Sequence, residues 1–229
     1  MFIKSAKFYD DFKVNKNYKL EAEQLRKIIL NSNLKNCKIL EIACGTGEHI
    51  KFLKNYFEID GMDINPTFVS IAKEKNPECN IYQGDMRNFL IQKKFDVILC
   101  LYGAIGYLVN TMELIKVLGN FKNHLNDNGV IIIEPWFSPN NWLANKIHNT
   151  VIENEAMTIV RMGFGSPEGK IKFHYLVGKS NGIEHFIEEY EFALFTDENI
   201  RDAYTSIGLK STFLSDLIFK KGIYINNRN

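Results

Sequence analysis

Lys38-Ile39-Leu40-Glu41-Ile42-Ala43-Cys44-Gly45-Thr46-Gly47-Glu48-His49 decides the fold of this chain. Its first six residues read as a buried strand, and the glycines at 45 and 47 end that strand at the mouth of a helix running to about Tyr56. Glycines at such a junction let the backbone approach a ligand closely, and the free N–H groups of the following helix favour a negative group such as a carboxylate. A dinucleotide fingerprint would need a third glycine at position 50. Ile50 stands there, which counts against a nicotinamide or flavin site.

The alternation continues on both sides. Leu20 to Leu30 carries apolar residues at helical spacing. After the glycine loop come a strand through Ile59 to Asp63, a helix opened by Pro66, a strand Asn80 to Gln83, and the apolar run Phe95 to Leu101. Leu114 to Leu125 is amphipathic, Asn128-Gly129 reads as a turn, and Val130 to Ile133 is a further buried strand. The pattern predicts an α/β fold with a Rossmann-like, doubly wound sheet, which binds ligands beyond the carboxyl ends of its strands. After about Thr150 the rhythm changes. Met157–Met162, Lys170–Val177 and Ile183–Phe192 are strand-like runs without helices between them, parted by Ser166-Pro167-Glu168-Gly169 and Lys179-Ser180-Asn181-Gly182. These predict an antiparallel insert over 150–193, set as a lid within a single domain of residues 1–229. A helix capped by Thr196 and stopped by Gly208 follows, then strands near Thr212 and Ile223–Ile225.

Composition narrows the function. With 28 basic and 27 acidic side chains and no basic run, nothing marks a nucleic-acid surface, and a small acceptor is favoured. The start lacks an apolar leader, and no stretch approaches the roughly 20 apolar residues that span a bilayer, so no membrane partner and a cytoplasmic location are expected. Cys37, Cys44, Cys79 and Cys100 form no C-x-x-C pair and read as small core hydrophobes. His124, His148 and His185 show no metal-ligand spacing with Cys or carboxylates, so no metal site is expected. His49 reads as a partly exposed helix residue, and the Lys and Glu side chains of Lys19–Lys27 as a solvated face.

Asp63 ends the second strand where a carboxylate accepts hydrogen bonds from two ribose hydroxyls. Gly84-Asp85-Met86 follows the third strand and offers a carboxylate for an adenine amino group and a thioether to pack on the ring. Each residue alone has an ordinary structural reading, Asp63 as a cap and Met86 as core. Together with Glu41 through Gly47 and the fourth strand ending at Leu101-Tyr102-Gly103, the ordered set resembles the class I S-adenosylmethionine-dependent methyltransferases. That resemblance implies S-adenosylmethionine as cofactor. It implies Glu41, Ala43, Gly45 and Gly47 around the methionine portion, Asp63 and Ile64 at the ribose, Asp85 and Met86 at adenine, and Leu101 as a further contact.

A narrower resemblance rests on Ala104-Ile105-Gly106-Tyr107-Leu108, Glu134-Pro135-Trp136, Phe173-His174-Tyr175-Leu176-Val177 and Ala193-Leu194-Phe195-Thr196. In this order, with the insert, they look like bacterial N,N-dimethyltransferases of nucleotide-linked amino sugars of the desosamine and mycaminose type, over nearly the whole chain. Lys16-Asn17-Tyr18-Lys19-Leu20-Glu21-Ala22 is similar to the family's K-D-Y-x-x-E-A stretch, which closes over the cofactor and brings in Tyr18. The resemblance implies a nucleotide-linked amino sugar as substrate, with Tyr9, Tyr107, Trp136, Arg161, Tyr175 and Lys221 at the acceptor. Two departures stand out. The Tyr9–Tyr18 loop is shorter than in the family, and Lys221 replaces an arginine expected at the substrate diphosphate, giving a point charge without a bidentate fork.

Methyl transfer to an amine asks mainly for alignment in a closed pocket. An ammonium acceptor must still lose a proton, which a desolvated aromatic pocket eases. Tyr107 is the expected catalytic residue, lining that pocket and relaying the proton, with Glu134 second, although a phenol of pKa about 10 is a poor base at neutral pH. Adjacent strand residues face opposite sides, so of His174 and Tyr175 only one enters the pocket, and Tyr175 is expected there. Two other readings stay open: an O- or N-methyltransferase of another small metabolite, and a non-catalytic module that kept the cofactor fold. The exposed insert also offers a surface through which two copies pair as a homodimer.

Overall fold

The computed structural model describes residues 2–13, 16–34 and 36–226. Five parallel strands form the centre: β1 (Lys38–Ile42), β2 (Glu58–Asp63), β3 (Ile81–Gln83), β4 (Phe95–Cys100) and β5 (Leu125–Ile133). Strands that are covered on both faces must be apolar at consecutive positions, and Ile39-Leu40, Val97 to Cys100 and Val130 to Ile133 are fully buried. Successive residues serve opposite faces. Leu40, Ile42, Ile98, Cys100, Ile131 and Ile133 pack against α4 (Thr111–Asn123) and α5 (Asp197–Ser206). Ile39, Val97, Leu99, Val130 and Ile132 pack against α1 (Tyr18–Asn31), α2 (Glu48–Leu53) and α3 (Pro66–Lys75).

β6 (Ile147–Glu153), β7 (Met157–Gly165), β8 (Lys170–Lys179) and β9 (Gly182–Glu191) make a separate antiparallel sheet in chain order. The chain then returns through α5, where Thr196 and Asn199 form a reciprocal capping box. β10 (Ser211–Leu214) and β11 (Ile223–Asn226) complete the main sheet, whose order is β10-β11-β5-β4-β1-β2-β3 with β11 antiparallel to β5. Asp63, Tyr102 and Glu134 therefore fall at or just beyond the carboxyl ends of β2, β4 and β5.

Three expectations need correcting. The insert sheet spans 147–191, because β6 adds a strand that sequence reading missed; its polar His148, Asn149 and Thr150 hide the alternation. Asn128-Gly129 does not form a turn before β5 but lies inside it. Asn128 takes a positive φ of 60°, and the register against β4 shifts between Phe95 and Val97, so an irregularity in the strand absorbs the turn chemistry. α2 stops at Leu53, short of Tyr56.

The segment before α1 lies between the two sheets. Glu188 on β9 accepts backbone N–H bonds from Ile3, Lys4 and Ser5 at 2.8–3.0 Å and the Ser5 hydroxyl at 2.5 Å. Beside that anchor Asn65 Nδ2 donates to the Phe2 carbonyl at 2.7 Å, and farther along the segment Asp10 accepts bonds from Thr46 Oγ1 and Lys75 Nζ, both at 2.6 Å. Residues 2–13 thus strap the glycine-loop region to the insert.

Candidate active site

A cavity of about 530 Å³ opens between the carboxyl ends of the parallel strands, the strap and the inner face of the insert. That is within the range of small-ligand sites. A small recess beside it is lined by Tyr18, Glu41, Thr46 and His49 and shares Ala43, Gly45, Leu101, Tyr102 and Tyr9 with the main cavity.

The backbone is strained where β1 and β4 meet the cavity. Ala43 and Tyr102 hold positive φ values of 54° and 56°, each costing on the order of 1–3 kcal/mol, and such departures cluster at functional sites. Gly45 turns with φ 56°, and a Cβ there would meet nothing within 4 Å, so the loop is open on its cavity side. Gly47 lies outside the cavity lining. It caps α2 with φ 76°, and a Cβ would come within 2.7 Å of Asn76 Nδ2.

Asp63 is buried at the cavity edge. Oδ2 accepts from Gly45 N at 2.9 Å and Oδ1 from Asn65 N at 2.8 Å. Burial raises its pKa, and those backbone bonds oppose the rise. Ile64, Met86 and Asp85 line the same end; Asp85 is paired with the Arg87 guanidinium at 3.2 Å, which also holds Glu113.

Glu41 and His49 form a buried network at the recess. The imidazole lies 3.0 Å from Glu41 Oε1 and 2.8 Å from Glu21 Oε2, Lys16 Nζ holds Glu21, and the Tyr18 ring stands edge-on to His49. Two readings of this region need correcting: His49 is buried at 5% exposure, and Glu21 points inward from α1, whereas Lys19 and Lys27 do stand on its solvated face. Burial opposes a charged imidazole, but Glu41 and Glu21 outweigh it and raise the His49 pKa to about 9. A raised histidine pKa gives stability that is complete below its unfolded value of about 6.5 and is lost as pH rises through 9. Between pH 6.5 and 9.5 the wild type should therefore lose on the order of 3 kcal/mol of stability relative to His49→Gln, read from thermal unfolding of both proteins across the range. Identical pH dependence of the two proteins would contradict a charged His49.

Across the cavity Tyr9, Tyr107, Trp136, Arg161 and Tyr175 all line the wall. Tyr9 packs on Phe68 and Phe2, and Tyr107 on Phe192. Burial, with Asp63 next, pushes the Tyr107 phenol well above its ordinary value, so it stays neutral at physiological pH. Tyr175 is fully buried facing inward. Its neighbour His174 faces outward, 3.3 Å from His185. Arg161 is held between the Phe12 and Phe173 rings at 4.8 and 4.7 Å and donates to Thr150 Oγ1. Lys221 does not line the cavity. It sits behind it, 4.9 Å from the Trp136 ring and 3.6 Å from Glu134, which in turn accepts from Tyr102 N. Glu134 is likewise outside the lining.

Sequence reading missed Lys13. Its ammonium donates to Tyr102 OH at 2.5 Å and lines the cavity. Burial first, then the positive charges of Arg161, Lys16 and Lys221, lower its pKa to about 7. Nothing in the local sequence marks it, because the strap is positioned by Asp10 and Glu188, far apart in the chain.

Seven strands in this order, a strained glycine loop after β1 and an acid at the end of β2 define a class I methyltransferase fold. A family model described as "Methyltransferase domain" matches residues 39–129. A dTDP-3-amino-3,6-dideoxy-alpha-D-glucopyranose N,N-dimethyltransferase of Streptomyces fradiae is 33% identical over 204 residues, covering 87% of this chain and 80% of that protein. The dTDP-3-amino-3,4,6-trideoxy-alpha-D-glucopyranose N,N-dimethyltransferase of Streptomyces venezuelae is 27% identical over 96% of each chain. The solved sugar N-methyltransferase KedS8 of Streptoalloteichus superposes with a TM-score of 0.91 at 29% identity, covering 100% of this chain and 94% of that one. The chain belongs to the S-adenosylmethionine-dependent sugar N-methyltransferases, with S-adenosylmethionine as its methyl donor.

The recess fits that donor. Glu41 Oε2 is buried without a hydrogen-bond partner, a site for an ammonium group, and Gly45 leaves the adjoining wall open.

Proposed function

We propose that the protein methylates the amino group of a nucleotide-linked, dTDP-type amino-deoxy sugar. The observation that carries this reading is one continuous cavity with two unlike halves: Gly45, Asp63 and Met86 line one, and an aromatic, cationic chamber built with the insert forms the other. The chamber holds buried nitrogens without partners, Trp136 Nε1, Arg161 Nε and His148 Nε2, suited to sugar and phosphate oxygens.

In this reading Glu41, Ala43, Gly45 and Tyr18 hold the methionine portion of the cofactor, with Gly47 shaping the loop. Asp63 and Ile64 take the ribose, Asp85 and Met86 the adenine, and Leu101 the floor between them. When bound, S-adenosylmethionine supplies a methyl group activated on a sulfonium. The residues of this chain then contribute alignment. Tyr9, Tyr107 and Trp136 fix the sugar by their ring faces, and Tyr175 approaches the amine. Arg161 and Lys13 meet the diphosphate, with Lys221 adding charge from behind Trp136. Tyr107, neutral across the working pH range, acts as a hydrogen-bonding wall for the amine and not as its base. A chamber lined mainly by apolar rings lowers the pKa of an ammonium acceptor and favours the free amine that attacks. Competition tests this reading directly: dTDP and a dTDP-linked amino sugar should exclude each other, and S-adenosylhomocysteine should compete with neither. Simultaneous binding of both dTDP ligands would contradict it.

The reading includes a single catalytic domain acting in the cytoplasm; among the described residues no helix is long and apolar enough to cross a membrane. It also includes pairing of two copies. The outer insert face exposes Ile147, Val151, Met162, Phe164, Leu176, Ile183 and Ile187, an apolar surface larger than scattered single residues would make. Sedimentation should show a dimer that Phe164→Lys converts to monomer. A monomeric wild type at micromolar concentration would overturn the pairing.

A further inference from the structure

Tyr175, Tyr190 and Glu188 form a buried chain leading away from the acceptor chamber. Tyr190 OH donates to Glu188 Oε2 at 2.5 Å, and the two phenol oxygens lie 3.4 Å apart. Both tyrosines line the cavity. An ionised carboxylate only accepts, and a phenol has a single proton. Burial favours the neutral acid at Glu188, but bonds from Ser5 and Tyr190 outweigh it, keep its pKa low and leave it ionised. Glu188 therefore commits the Tyr190 proton outward. Tyr190 can then only accept from Tyr175, which commits the Tyr175 proton as well. The remaining Tyr175 lone pair has nothing left to give and can only receive.

We infer that Tyr175 presents its oxygen to the acceptor solely as a hydrogen-bond acceptor, with Glu188 and Tyr190 acting as positioning residues that fix this polarity. The inference rests on the amino-sugar reading above and assigns the chain a role in it. As the nitrogen–carbon bond forms and the carbon–sulfur bond breaks, the nitrogen lone pair becomes the new bond and positive charge develops on nitrogen. An N–H directed at Tyr175 becomes a charged donor at that moment, so the bond is stronger in the transition state than before it. The ammonium proton leaves afterwards to solvent.

The test uses the full-length enzyme with Tyr175→Phe and Tyr190→Phe, of which the second cuts the chain and leaves the bonds between Glu188 and residues 3–5 in place. Both variants should lose kcat about 10- to 100-fold toward the dTDP-linked amino sugar that the wild type methylates, with acceptor KM and S-adenosylmethionine affinity within about threefold. A binding readout is independent of turnover. The wild type should bind dTDP-linked 3- or 4-dimethylamino sugars, which carry one N–H when protonated, about tenfold tighter than their trimethylammonium analogues, and Tyr175→Phe should bind the two alike. If Tyr175→Phe keeps wild-type kcat, or the wild type shows no such preference, the inference is overturned while the substrate reading stands. A loss confined to Tyr175→Phe overturns the part assigned to Tyr190 and Glu188. A wild type that neither methylates nor binds any of these sugars overturns the substrate reading and this inference together.

Discussion

Asp63→Ala should weaken S-adenosylmethionine binding about 100-fold or more, the largest single effect expected on the cofactor side. Two ribose hydroxyls bonded to one carboxylate contribute about 1.5–3 kcal/mol each, and 3 kcal/mol already exceeds a hundredfold. The same carboxylate orders the glycine loop through Gly45 N and the start of α3 through Asn65 N, so its removal also loosens the loop that must close on the ligand. Asp63→Asn keeps one acceptor oxygen and should fall between the variant and wild type. Titration calorimetry on folded variants decides the point. An Asp63→Ala protein within threefold of wild type would remove Asp63 from the cofactor site.

Arg161→Ala should cost about 30-fold or more in kcat/KM for a dTDP-linked acceptor, and the loss should appear mainly in KM. The guanidinium is fixed between two rings before any ligand arrives, so little side-chain freedom is lost on binding, and its Nε is buried without a partner. Lys13 adds a pH signature. With its pKa lowered to about 7, its charge is present below that pH and lost above it. The acceptor KM should rise between pH 6.5 and 8.5. Lys13→Arg should flatten the profile at low KM and Lys13→Met should flatten it at high KM. If the KM profile is independent of pH in the wild type, Lys13 does not meet the diphosphate.

The main sheet was legible because every strand buried on both faces must be continuously apolar, and Ile39-Leu40 and Val130 to Ile133 satisfy that on sight. The glycine loop and Asp63 were legible for a different reason: they sit at fixed offsets from those strands. What the sequence concealed depends on contacts between distant segments. Glu188 holds residues 3–5 from more than 180 positions away, and with the bonds to Asp10 it brings the strap and Lys13 to the cavity. His49 looked like a surface helix residue because its two carboxylate partners come from α1 and β1. β6 was hidden by its polar residues at the edge of the insert, and the position of Lys221 behind Trp136 follows from how β11 docks on β5.

The central claim is tested most directly by mass spectrometry of methyl transfer from isotopically labelled S-adenosylmethionine to dTDP-linked 3-amino and 4-amino sugars, with the matching hydroxyl sugars alongside. Transfer of label to an amino sugar and to none of the hydroxyl sugars is the predicted result, and the mass gained counts the methyl groups. Label appearing on a hydroxyl sugar, or on no sugar although the cofactor binds, would contradict the account.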